Sequence, residues 1–76
     1  MARSLINLIE AFTKNKKIIL SATAWGRIRI IEREVKSRKI KPDGAIVKLK
    51  EENELKSSLV EAEWKNIKEQ IEDIVD

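Results

Sequence analysis

Apolar positions recur along this chain in two rhythms. Near the start Leu5, Leu8, Ile9 and Phe12 fall at i, i+3, i+4 and i+7, the spacing that puts side chains on one face of a helix. Ser4 precedes them as an N-cap, so a helix is expected from Ser4 to about Thr13–Lys16. Near the end Val60, Trp64, Ile67, Ile71 and Ile74 are spaced 4, 3, 4 and 3. That heptad-like seam predicts a second amphipathic helix over about Val60–Val75. Between them the rhythm changes. Lys17–Ala24 carries β-branched Ile18, Ile19 and Thr23 within eight residues and favours a strand, with Gly26 as the turn after it. Arg27–Lys36 opens on alternation: Ile28 and Ile30 point one way, Arg27, Arg29 and Arg33 the other. Ile31 and Val35 share the arginine parity while Glu32 and Glu34 share the isoleucine parity, which a β-bulge accommodates. Pro42-Asp43-Gly44 reads as a turn. In Ala45–Lys50, Ala45, Val47 and Leu49 then share one face, and Lys48 and Lys50 share the other with Ile46. Leu55–Leu59 is a weaker strand signal. The order helix, strands, helix is that of an α+β fold.

The chain has 76 residues, room for one small core and no separate substrate domain. No repeat or Pro/Ser-rich linker divides it, so residues 1–76 are expected to form a single domain, with 1–16 a helical extension and 17–76 its main body. Charged residues at 38% and apolar ones at 42% fit a folded chain better than a disordered one. No apolar run exceeds three residues, as at Ile18–Leu20, against the roughly 20 of a membrane helix. Glu10 interrupts the N-terminal stretch where a signal peptide would be apolar. A cytoplasmic location is expected, nuclear if the source is eukaryotic. Cysteine and histidine are both absent, which removes disulfides, thiolate metal sites, cysteine nucleophiles and the residue that most often serves as general base near pH 7. No catalysis, no metal and no cofactor are expected. The two glycines stand 18 positions apart and make no phosphate loop. Glu32 and Glu34 lack the further upstream carboxylate that a two-metal nuclease would need.

Charge changes the picture further. Residues 1–50 hold thirteen Lys and Arg against four Asp and Glu, a balance of +9, whereas residues 51–76 hold three against nine, a balance of −6. Arg27, Arg29, Arg33, Lys36, Arg38, Lys39 and Lys41 crowd into fifteen positions, the footprint of a site for a polyanion, most often nucleic acid. Lys48 and Lys50 add to the same basic faces. Single-strand binders pair such a surface with aromatic planes on which bases stack. Phe12 and Trp64 lie in apolar stripes, which leaves Trp25 as the candidate stacking residue. A solvated basic surface is the plainer reading of the same residues. On the last helix Trp64, Ile67, Ile71 and Ile74 are candidates for a seam with a second copy of the chain, or for packing within one subunit.

Three stretches together resemble a known family. The run Glu61–Ile74, with Trp64, Ile67 and Lys68-Glu69, resembles the closing helix of the positive cofactor four transcriptional coactivators. Gly26-Arg27-Ile28-Arg29-Ile30 followed by Arg33-Glu34-Val35 is similar to that family's glycine-led strand, and Lys41-Pro42 to its Lys-Pro-Gly segment. The matches keep the family's order and span roughly residues 17–76. The resemblance implies a curved antiparallel sheet of three to four strands, a long C-terminal helix pairing two copies as a homodimer, and binding of single-stranded DNA or melted duplex by basic and aromatic side chains with little sequence preference. The N-terminal helix has no counterpart in the family, Val35 stands where an aromatic is usual, and the passage from Leu49 to Trp64 is long, which leaves open which segment is the last strand.

The expected function is therefore that of a non-catalytic single-stranded DNA-binding protein using a basic sheet face through Trp25, Arg27, Arg29, Arg33, Lys36, Arg38, Lys39, Lys41, Lys48 and Lys50. RNA is an open alternative ligand. A protein-interaction or regulatory module, antitoxin-like or viral, is the alternative function, with the N-terminal helix as a surface for a protein partner. A duplex reader is disfavoured because the basic segment reads as strand and supplies no recognition helix.

Overall fold

The computed structural model describes residues 4–75, and these form helices without strands: α1 (Leu5–Lys16), α2 (Ala22–Lys36), α3 (Pro42–Leu49), α4 (Asn53–Ser58) and α5 (Glu61–Val75). The α+β expectation is overturned, and with it the curved sheet and the basic sheet face.

The two terminal helices form where their spacing places them. Ser4 caps α1 by accepting from the Asn7 backbone N–H at 3.1 Å, satisfying one of the four orphan donors of a helix start. At its other end Lys17 turns left-handed at φ 59°, and the Ile18 N–H reaches the Thr13 carbonyl at 2.8 Å, a Schellman closure. At the start of α5 the Glu63 carboxylate reaches back to accept from the Val60 N–H at 2.9 Å, the return half of a capping box. Lys16 donates to Glu63 at 2.6 Å and to the Ser58 carbonyl at 3.0 Å, tying the end of α1 to this junction.

The segments expected as strands are helical or loop for a common physical reason. In Arg27–Lys36 the alternation lasts only four residues, while the buried positions are Ala24, Ile28, Ile31 and Val35, spaced 4, 3 and 4. Ile31 and Val35, which break a strand's parity, are the residues that complete a helix's stripe. Gly26 lies inside α2, not at a turn, and a side chain there would meet nothing within 4 Å. Lys17–Ala24 divides between a loop and the first turn of α2, which Ser21 caps by accepting from the Ala24 N–H at 3.1 Å. Pro42 opens α3 at a first-turn position, where its missing N–H costs nothing. Ala45 and Leu49 are buried one turn apart while Val47, expected beside them, is 63% exposed. The weak strand at Leu55–Leu59 is α4 and its end, with both leucines buried.

One core unites the elements. α2 packs between α1 and α3, and α5 crosses behind all three. Leu8, Ile9, Ile28, Leu49, Leu55, Ile67 and Ile71 are fully enclosed. The proposed dimer seam is part of this core: Trp64, Ile67 and Ile71 are buried and Ile74 is partly buried within the chain itself. A second copy is not needed to cover them. No described helix is long and apolar enough to cross a membrane.

Candidate nucleic-acid interface

The helical periodicity of α2 sorts its cations. Ala24, Ile28, Ile31 and Val35 face inward, so residues 29, 33 and 36, at i, i+4 and i+7, share an outward strip. Arg29, Arg33 and Lys36 are exposed there and line, with Glu32 and Ser37, a shallow depression of about 500 Å³. Among the described residues neither Arg29 nor Arg33 makes an ion pair. Lys36 is held 3.1 Å from Glu32, whose other oxygen accepts the Ile6 N–H at 3.3 Å. This pins α2 to the first turn of α1, where a carboxylate also complements the helix dipole.

Further cations follow in the loop after α2. Arg38 stands in the left-handed region at φ 63°, and the Lys39 N–H closes on the Glu34 carbonyl at 2.9 Å, the same end-cap as in α1. Arg38, Lys39 and Lys41 are exposed and, among the described residues, free of ion pairs. Five cations, Arg29, Arg33, Arg38, Lys39 and Lys41, are thus exposed without an ion pair among the described residues, on the outer face of α2 and in the loop that follows it.

The remaining candidates are engaged elsewhere. Arg27 grips Glu52 with two hydrogen bonds, Nε to Oε2 at 2.6 Å and Nη2 to Oε1 at 2.8 Å. Those bonds hold the Glu52 carboxyl below the usual range against the opposing effect of burial, and raise the Arg27 guanidinium above its own. Glu52 is only 5% exposed, so the pair fastens the chain between α3 and α4 onto α2. Lys48 lies 3.6 Å from a buried Glu34 oxygen that has no hydrogen bond. Lys50 stands over the Trp64 ring at 5.5 Å from its centroid, a cation–π contact. Arg27, Lys48 and Lys50 are therefore not brought into the strip as a sheet face would have done.

Trp25 is half-buried between α1 and α2 and lines a depression of about 400 Å³ with Asn7, Glu10, Lys14 and Ile18. Asn7 does not enter the sequence reading, and Glu10 enters it only as an argument against a signal peptide. Their signal was a polar i, i+3, i+7 face with Lys14, which solvent accounts for equally well. Among the described residues no cluster of three or more potential metal ligands occurs. Compared with known families, curated proteins and solved structures, the chain matches none.

Proposed function

We propose that this chain is a non-catalytic nucleic-acid-binding domain that holds a phosphate backbone against the outer strip of α2 and the 38–41 loop, with single-stranded DNA as its expected ligand. The observation that carries the reading is that Arg29, Arg33, Arg38, Lys39 and Lys41, on the outer face of α2 and in the loop directly after it, are all exposed and without a carboxylate partner among the described residues. Such a strip releases condensed counterions when phosphates replace them, and this is the main source of affinity without sequence preference. A second reading, duplex binding with the outer face of α2 against a groove, gains support because the basic segment is a 15-residue helix that exposes Arg29 and Arg33 and not a strand. The protein-interaction alternative loses its main support, since the apolar faces of α1 and α5 are spent in the chain's own core.

The test is a fluorescence anisotropy titration of a labelled 20-nucleotide single strand and its blunt duplex at several salt concentrations. With five phosphates neutralised, the slope of log affinity on log salt for the single strand is expected near −3.5, from about −0.7 per phosphate. Reversing two charges together, Arg29→Glu with Arg33→Glu, is expected to lower affinity by about a hundredfold, one decade for each lost charge-assisted contact. Absence of binding to either form at low salt, or a flat salt dependence, would overturn the reading.

A further inference from the structure

The depression between α1 and α2 differs in character from the strip beside it. Its walls mix an indole (Trp25), an aliphatic side chain (Ile18), an amide (Asn7), a carboxylate (Glu10) and an ammonium (Lys14). The depression is open to solvent, about 400 Å³ in volume, with room for one planar heterocycle to lie against its wall. Trp25 is one helical turn before Arg29 on α2, so whatever lies against Trp25 is next to the first cation of the strip. Glu10 repels a phosphate from this spot, whereas a neutral group that presents donors and acceptors on a flat ring suits all five side chains. The polar three sit on successive turns of α1.

Resting on the nucleic-acid reading above, we propose that this depression receives a single unstacked base of the bound strand, with the indole of Trp25 as its apolar wall and Asn7, Glu10 and Lys14 facing its edge. The strip then holds the flanking phosphates. Single strands supply such a base at the smaller cost of local unstacking, while a duplex must break both stacking and pairing. The site therefore commits the protein to single-stranded over duplex nucleic acid, and α1 is half of the binding surface.

The experiment uses a mixed-sequence 20-nucleotide single strand and its blunt duplex, with the full chain as wild type, Trp25→Leu and Asn7→Ala. Leucine keeps apolar bulk and removes the ring plane. In the wild type, tryptophan emission is expected to change during single-strand titration with the same midpoint as anisotropy, since Trp64 is buried and Trp25 is the reporter. Trp25→Leu is expected to weaken single-strand binding about tenfold, the order of one lost base stack, and to leave duplex binding unchanged. Asn7→Ala is expected to act in the same direction by roughly threefold. If both strand forms bind with equal affinity and the emission does not change, the base site is wrong while the phosphate strip stands. If neither form binds at low salt, both fall. The emission readout on wild type decides the matter even if the leucine variant melts early.

Discussion

Two sides of α2 carry similar arginines with different fates. Arg27, on the flank toward α3 and α4, keeps 53% of its side chain exposed and yet has both arms of its fork on Glu52. Arg29 and Arg33, on the outer strip, meet no carboxylate among the described residues. What separates the two sides is the backbone that passes nearby, because only the chain between α3 and α4 brings a buried acid within reach. A count of basic residues therefore overstates the charge offered to a ligand. Of the ten residues first grouped as one surface, five cations form the open strip, while Arg27, Lys36 and Lys48 are paired with acids and Lys50 with a ring.

The widest contrast lies between neighbours in sequence. Ile28 is fully enclosed and Arg29 is exposed. Truncating Ile28 to Ala is expected to cost about 2–5 kcal/mol through lost burial and the cavity left behind, a large share of what holds so small a domain folded. Arg29→Ala is expected to change stability by no more than about 0.5 kcal/mol and to weaken single-strand binding about tenfold. Thermal melts by circular dichroism and anisotropy titrations of both variants check this. A melt of Arg29→Ala that resembles that of Ile28→Ala would mean that the outer strip is part of the fold's support.

The Arg27 flank is expected to show the reverse pattern, through pH. Hydrogen bonds from Arg27 hold the Glu52 carboxyl below its ordinary value. A lowered folded-state pKa means that the unfolded chain takes up the proton first as acid is added. The pair's contribution is thus present above the reference value of 4.5 for the unfolded carboxyl and disappears as pH falls through the lower folded value. Glu63, lowered by Lys16 and by the Val60 N–H, acts in the same direction. Glu52→Gln is expected to lower the melting midpoint at pH 7 by roughly 5 °C. The difference from wild type should shrink as the pH is brought toward 3, with strand affinity at pH 7 unchanged. A gain of affinity in this variant would mean that Arg27, once released from Glu52, joins the ligand contacts.

The ease with which each region could be read from sequence follows its geometry. α1 and α5 were legible because their apolar residues recur at helical spacing over two turns or more, with Ser4 supplying the start signal of α1. α2 misled because Arg27-Ile28-Arg29-Ile30 imitates a strand for four residues, and because Gly26 and β-branched Ile and Val carry strand or turn weight as local propensities. Packing overrides such propensities: Ala24, Ile28, Ile31 and Val35 together bury a stripe that an extended chain would scatter to both faces. α3 misled for a related reason, since Pro42 and Gly44 mark turns as readily as a helix's first turn. The basic cluster was legible as composition, but its division was not. No local signal announces that Glu52 ends up buried against Arg27, 25 positions away.

The smallest effects give the sharpest comparison, because α1 and α2 end in the same way. Lys17 and Arg38 both occupy the left-handed region, at φ 59° and 63°, where a side chain costs about 1 kcal/mol that glycine does not. Each closes its helix with the same pattern of N–H to carbonyl bonds, so Lys17→Gly and Arg38→Gly remove one positive charge and one strained side chain alike. Glycine's greater freedom in the unfolded chain offsets part of the relief. Both variants are therefore expected to raise the melting midpoint by the same small amount, roughly 2–4 °C. In binding they should part. Arg38 belongs to the strip, and its loss is expected to flatten the single-strand salt slope by about 0.7, one phosphate's worth, whereas Lys17→Gly leaves the slope as it was. Equal slopes in the two variants would mean that Arg38 contributes only general charge, and would shorten the strip to the helix itself.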